Sequence, residues 1–351
     1  MPHRPLLPAL AAVLLGSTSA PATAEDVDLK GKTITMIVPS KPGGGTDASA
    51  RLIARMIVPE LPGKPSLLVR NVPGGGGVTA LNYFVGQVAR DGLTIAMASS
   101  TQADPINYRK PQSKYDPSKF HILGGVGRGG TLMIVRNDAR PRLLDKSKPK
   151  VVVGSIGGVP RSGMQMAAWG IDLLDWNAKW VIGYRGTDDL MLALDRGEVE
   201  MTSTGNIFQI NKLVSTGKFS VLTQSGQLQN GILSPRPEFR SAPLFNSLVE
   251  GRIKDPLAAK GYTYWKTLIE MDKWFALPPG SPSSFVATYR AAFDRATKRP
   301  EFLDQGRKIS EDFEPMSAHA VETRIAALAE TPKEAIDYIS TMLSRQGLDT
   351  R

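Results

Sequence analysis

Residues 37–57 read IVPSKPGGGTDASARLIARMI, an apolar run stopped by a proline, then three consecutive glycines, then apolar residues at helical spacing. The β-branched stretch Thr33, Ile34, Thr35, Met36, Ile37, Val38 predicts a strand that Pro39 ends. Ala48, Leu52, Ile53, Met56 and Ile57 predict a helix, with Arg51 and Arg55 on another face. Thr46 reads as its N-cap and Asp47 as a first-turn acid. A glycine loop in that place turns uncapped N–H groups and the positive end of a helix dipole toward one space, which suits an anion. Neither nucleotide motif is complete. Gly43-x-Gly45-x-x-Ala48 matches a dinucleotide fingerprint loosely, but Leu67-Leu68-Val69 runs into Arg70-Asn71 with no acid, and no Gly-Lys-Ser/Thr follows the glycines.

The pattern repeats. The strand 66–69 leads into Asn71-Val72-Pro73-Gly74-Gly75-Gly76-Gly77, and a helical stretch over 78–88 follows. A third strand, 94–98, ends in Ser99, Ser100, Thr101 and Gln102. After a charged, proline-bearing stretch the grammar restarts at Val151-Val152-Val153-Gly154-Ser155, with a helix beginning near Ser162. Trp180-Val181-Ile182 reads as a strand, 183–187 as a loop and 188–196 as a short helix ended by Gly197. The strand 199–202 then ends in Ser203, Thr204, Gly205 and Asn206. Each loop alone is also what an ordinary βα turn looks like. Several strand ends of small and hydroxyl residues in two α/β halves point to ligand binding at their open ends.

The first 24 residues, with His3 and Arg4, an apolar stretch from Leu6 to Leu15 and Ala22-Thr23-Ala24, predict a secretory signal cleaved after Ala24. The absence of cysteine excludes a disulfide framework, a thiol nucleophile and a cysteine metal site, so the exported fold must rest on its core. Removing residues 1–24 leaves 42 basic against 33 acidic residues, a net charge of +9 that is compatible with an anionic ligand or with simple solubility. Nucleic acid is disfavoured because the basic residues are scattered and no aromatics interleave with them. An enzyme is disfavoured as well. His121 and His319 are far apart in sequence, no G-x-S-x-G or H-E-x-x-H occurs, and Asp188-Asp189 are ordinary first-turn acids. No cofactor or metal is expected.

Taken together, ITMIVPSKPGGGTDASARLIA, NVPGGGGVTALNYF, ARDGLTIAMAS, GYRGTDDLMLALDRGEVEM and WFALPPGSPSSFVATYRAAFDRATKRPEF resemble, in order, the motifs of a known family. This is the Bug family, the periplasmic solute-binding proteins of tripartite tricarboxylate transporters. The resemblance implies an α/β, two-domain, Venus-flytrap (type II-like) periplasmic binding protein with a ligand cleft between its domains. It implies a small mono- or dicarboxylate as ligand, inner-membrane transporter subunits as partners, a periplasmic location and a monomer. A ligand-sensing ectodomain partnered with a signalling receptor would use the same fold and remains the alternative, with a periplasmic enzyme behind it. The implied organisation is a signal peptide at 1–24, domain I from 25–128, domain II from 129–230, and a return to domain I with C-terminal helices over 231–351. Hinges are expected near 124–130 and 221–231.

Carried over position by position, one carboxylate is held by Pro39, Ser40, Gly43, Gly44, Gly45, Thr46 and Asp47 with Pro73, Gly74, Gly75 and Gly76, largely through backbone amides and water. Asp47 is expected to fix the loop rather than touch the ligand, since two carboxylates repel. Opposite them lie Ser155, Gly157, Ser162, Tyr184, Arg185, Gly186 and Thr187; Ser99, Thr101, Thr204 and Asn206 complete the expected site from their strand ends. Ser40 and Lys41 stand where the family has an aromatic and a proline, Arg185 replaces its lysine, and 161–165 carries no histidine. The segment 228–272 is longer than usual.

Overall fold

The computed structural model describes residues 27–128, 130–156, 160, 162–184, 187–229, 232–309 and 313–348. Its strands are Thr33–Val38 (β1), Ser66–Asn71 (β2), Thr94–Ser99 (β3), His121–Arg128 (β4), Leu132–Arg136 (β5), Val151–Ile156 (β6), Ala178–Tyr184 (β7), Met201–Thr204 (β8), Phe219–Gln224 (β9), Gln227–Gln229 (β10), Ile232–Ser234 (β11), Met271–Leu277 (β12) and Phe313–Met316 (β13). They form a six-stranded sheet in the order β13-β4-β12-β3-β1-β2, a five-stranded sheet in the order β7-β6-β8-β5-β9, and the two-stranded ribbon β10-β11. Within each larger sheet one set of strands is parallel, β2-β1-β3 in one and β7-β6-β8 in the other, and antiparallel strands complete it. The glycine loops and hydroxyl-rich ends therefore collect along one edge of each sheet.

Helix Gly45–Ile57 lies on the first sheet because its spacing puts Leu52, Ile53 and Met56 on one face; they pack with Ile34 and Met36 of β1 and with Tyr289 and Phe293 of helix Ser283–Thr297. Its start corrects the sequence reading. The N-cap is Gly44, in extended conformation and with no side-chain cap, so Thr46 falls inside the first turn. Asp47, at the third helical position, reaches back to the Gly43 amide instead, much as the returning half of a capping box does. Two strands also run further than the composition suggested. β3 includes Ser99, after which Ser100–Ala103 closes a helical turn. Pairing of β8 with β5, from Leu132↔Thr204 to Val135↔Met201, draws Ser203 and Thr204 into the ladder.

The chain leaves the first sheet after β4 and enters the second at β5. It returns to the first at Met271, directly after helix Pro256–Glu270. Around the outward passage the backbone of Thr131 exchanges hydrogen bonds with Ser225, and a Cβ on Gly130 would lie 2.9 Å from the Gly226 carbonyl carbon. No larger residue fits there without moving the backbone. Helices Pro256–Glu270 and Lys333–Arg345 pack on helix Gln165–Leu173, beside the second sheet. Trp169 is fully buried at this junction, edge-on to Tyr262 at 5.4 Å and stacked on Tyr338 at 6.2 Å between ring centroids. Tyr338 also donates to Asp172 at 3.0 Å and Gln346 to the Ala168 carbonyl at 2.9 Å.

This aromatic junction is the seam between the two sheets' helical layers. Trp169→Ala is expected to cost about 3–5 kcal/mol in urea denaturation. Trp169→Phe should cost much less, because the indole Nε1 is buried without a hydrogen-bond partner among the described residues and its loss leaves nothing unpaired.

Candidate ligand-binding site

Three strand ends of the first sheet are tied into one group by side chains. Asn71, the last residue of β2, donates to the Ser40 carbonyl and to Asp47 Oδ1, both at 2.9 Å. Asp47 Oδ2 accepts from the Gly43 amide at 2.9 Å and from Arg51 Nε at 3.0 Å. The two glycine loops are thereby held in register by a carboxylate that is only 2 % exposed. Gln102 attaches the third strand end: Oε1 accepts from the amide and hydroxyl of Ser99, and Nε2 donates to the Gly76 carbonyl at 2.6 Å. Gly74, Gly75, Gly76 and Gly77 all have positive φ, and a Cβ on Gly77 would lie 2.4 Å from Gln102 Nε2, so this loop requires glycine for both reasons.

The amides of Gly45, Thr46 and Asp47 open helix Gly45–Ile57 and have no acceptor within it. Gly43, Gly45, Gly74, Gly75 and Gly76 are exposed or half-buried, so their backbone is open to a ligand. Ser40 Oγ is buried and has no hydrogen-bond partner among the described residues. Pro39 and Ser40 follow β1 directly and are half-buried, Pro73 is exposed before the second loop, and Thr101 is half-buried in the turn after β3. The sequence marks Gln102 only as one of the polar groups at a strand end, and it assigns Asn71 and Arg51 no place in the site. The Asp47–Arg51 spacing of four was the available signal for one of them.

An acid at an anion seat would be self-defeating unless its charge were taken up. Burial alone raises the Asp47 carboxyl's pKa, and the Arg51 guanidinium, the Gly43 amide and the Asn71 amide outweigh it, holding the group down to about 2. The carboxylate stays ionised and is turned inward to its own partners.

Residues of the second sheet form a second group. Ser155 is 1 % exposed, its hydroxyl bonded to the Ile156 carbonyl at 3.3 Å, so its side chain serves the loop. Tyr184 pairs with Ile156 at the end of β7 and is half-buried, and burial raises its phenol's pKa. Thr204 accepts from the Asn206 amide at 3.1 Å, and Asn206 caps helix Ile207–Val214 by accepting from the Gln209 amide at 3.1 Å. Ser162 begins a 3-10 turn and Thr187 begins helix Thr187–Arg196. Gly157, Arg185 and Gly186 lie outside the described residues. Among the described residues no group of three His, Cys, Asp or Glu side chains is placed to hold a metal, and no helix is long and apolar enough to cross a membrane.

No protein-family model matches the sequence. The chain is 26 % identical over 308 residues to a UPF0065 protein of Bordetella pertussis, covering 84 % of each. It is 39 % identical over 83 residues to the protein BugT of the same organism, covering 24 % of each. These relatives show similarity over most of the chain at low identity and over a quarter of it at higher identity. Among solved structures, a TctC solute-binding protein from Polaromonas, without ligand, matches 89 % of this chain and 98 % of its own at a TM-score of 0.64 and 20 % identity. R. palustris Rpa4515 with adipate matches 90 % of this chain and 98 % of its own at a TM-score of 0.59 and 20 % identity. These likenesses identify the type II periplasmic binding protein fold, two β-sheets flanked by helices.

The Asp47 clamp has a pH signature. Its carboxyl titrates at about 2 in the folded chain and near 3.9 when unfolded. A depressed folded value means that the clamp's contribution is fully present above about pH 4 and lost as pH falls toward 2. Chemical denaturation of wild type and Asp47→Asn across pH 2–7 is expected to give a difference of about 2 kcal/mol at neutral pH that closes over that window. Parallel curves would mean that the carboxylate contributes nothing as an ion.

Proposed function

We propose that the chain is a periplasmic solute-binding protein that captures a small organic mono- or dicarboxylate for a tripartite tricarboxylate-type membrane transporter. The observation that carries this reading is the first group of strand ends. Asp47 and Asn71 lock two glycine loops together, and Gln102 fastens a third strand end to them. What remains open to a ligand is a helix start and accessible glycine backbone, with the buried, unpaired Ser40 hydroxyl behind them. All of these favour an anion with hydrogen-bond acceptors. The likeness in fold to Rpa4515 with adipate supports the same ligand class.

The second group is proposed as the opposing wall, with Tyr184, Thr204 and Asn206, and Arg185, outside the described residues, is proposed to recognise the far end of the ligand. In the proposed organisation residues 1–24 are the signal, 25–128 the first half and 129–230 the second. Residues 231–351 return to the first half through β12 and β13, while helices Pro256–Glu270 and Lys333–Arg345 lean on the second. Closure of the halves on the ligand, a periplasmic location, a monomeric state and inner-membrane transporter subunits as partners belong to the same proposal. Charge-assisted hydrogen bonds of roughly 1.5–3 kcal/mol each offset an association cost of roughly 4–15 kcal/mol, so a handful give micromolar affinity, about −8 kcal/mol.

A thermal-shift screen of C2–C8 mono- and dicarboxylates beside neutral sugars and amino acids tests the reading. Carboxylates are expected to raise the melting temperature and sugars to leave it unchanged; the reverse pattern would sink it.

A further inference from the structure

Arg236 follows the β10-β11 ribbon, in the segment 228–272 that is longer than the family pattern, and is 3 % exposed. Its backbone amide donates to Gln224 Oε1 at 2.8 Å. Its Nη1 donates to two carbonyls, Gly205 at 2.8 Å and Gly130 at 3.2 Å. Gly205 directly follows β8 and Gly130 precedes β5, and the pair Leu132↔Thr204 makes these two strands neighbours at that end. The guanidinium therefore sits at the centre of the second sheet's open edge, bonded to the residue between Thr204 and Asn206. Open α/β sheets bind ligands at such an edge.

Its charge is poorly matched. The nearest acid, Glu238, stands 3.6 Å from Nε, beyond hydrogen-bonding distance, with its own side chain 51 % exposed. Among the described residues neither Nε nor Nη2 makes a hydrogen bond. Stapling carbonyls does not require a cation. Gln224, fully buried beside it, bridges the Phe239 and Ala242 carbonyls at 2.8 Å each with a neutral amide. Arg236 spends one nitrogen on the same task, which leaves the rest of a planar fork, facing only the half-exposed Glu238 carboxylate, without hydrogen bonds among the described residues. A nearly buried charge whose ion pair with Glu238 at 3.6 Å includes no hydrogen bond is incompletely compensated, and the arginine fork fits a carboxylate.

We infer that Arg236 is a ligand-recognising residue, seating the second carboxylate of a dicarboxylate whose first carboxylate lies at the glycine loops. This rests on the function proposed above and narrows it to dicarboxylates.

The test is calorimetry with succinate, glutarate and adipate and with their monoamides, on wild type, Arg236→Lys, Arg236→Gln and Glu238→Gln, each checked for folding by circular dichroism. Wild type is expected to prefer a dicarboxylate over its monoamide by about ten- to a hundredfold. Arg236→Gln should abolish that preference while binding the monoamide within about threefold of wild type, and Glu238→Gln should keep the preference. Arg236→Lys, which retains a cation and donors for the carbonyls, should keep part of it and serves if the glutamine variant does not fold. An unchanged preference in the Arg236 variants, or an equal loss of diacid and monoamide, would reduce the residue to a staple and overturn the inference. If none of the diacids binds wild type, the dicarboxylate assignment is overturned, and the thermal-shift screen separately decides whether the broader carboxylate reading stands.

Discussion

The arrangement of the first group depends on one buried carboxylate. Asp47 accepts from a glycine amide in its own loop, from an arginine one turn along its helix and from an asparagine at the end of the neighbouring strand. Each partner offsets part of the desolvation that would otherwise favour a neutral carboxyl, and together they hold the ion inside. Without it nothing in the glycine sequence sets the separation of the two loops, because glycine has the widest conformational choice of any residue. With it, two flexible segments become a fixed rim of amides. The same contacts occupy both carboxylate oxygens, while the amides of Gly45, Thr46 and Asp47 at the helix start have no acceptor within the helix.

A second constraint acts on the larger scale. The sheets are built separately, yet helices Pro256–Glu270 and Lys333–Arg345 come from the part of the chain that also supplies β12 and β13 to the first sheet, and they bury Trp169 of the second half. Any closure of the halves has to move this junction as a body, since a core packed to crystal-like density does not shear cheaply.

The sequence was most legible where local chemistry decides the outcome. β-branched runs, the proline after Val38 and the apolar spacing of 48–57 located β1, its loop and its helix, because strand and helix periodicities differ and proline cannot continue a ladder. Boundaries were less legible. Thr46 carries the side chain of an N-cap, but Asp47 satisfies the loop amide from inside the helix and Gly44 takes the cap position. Ser99, Ser203 and Thr204 look like loop residues and are strand residues, because their neighbours β12 and β5 extend the pairing.

By itself the sequence determined the α/β grammar, the two halves, the small-residue strand ends and, through resemblance, the family to which they are similar. All of these rest on contacts within a few residues or on motif order. Only the tertiary structure decided which polar side chains hold those ends together. Asp47 and Asn71 are 24 residues apart, Gln102 and Gly76 26 apart, Arg236 and Gly130 106 apart. No periodicity or spacing along the chain encodes such pairs, because they exist only once parallel strands from distant segments bring their ends to one edge.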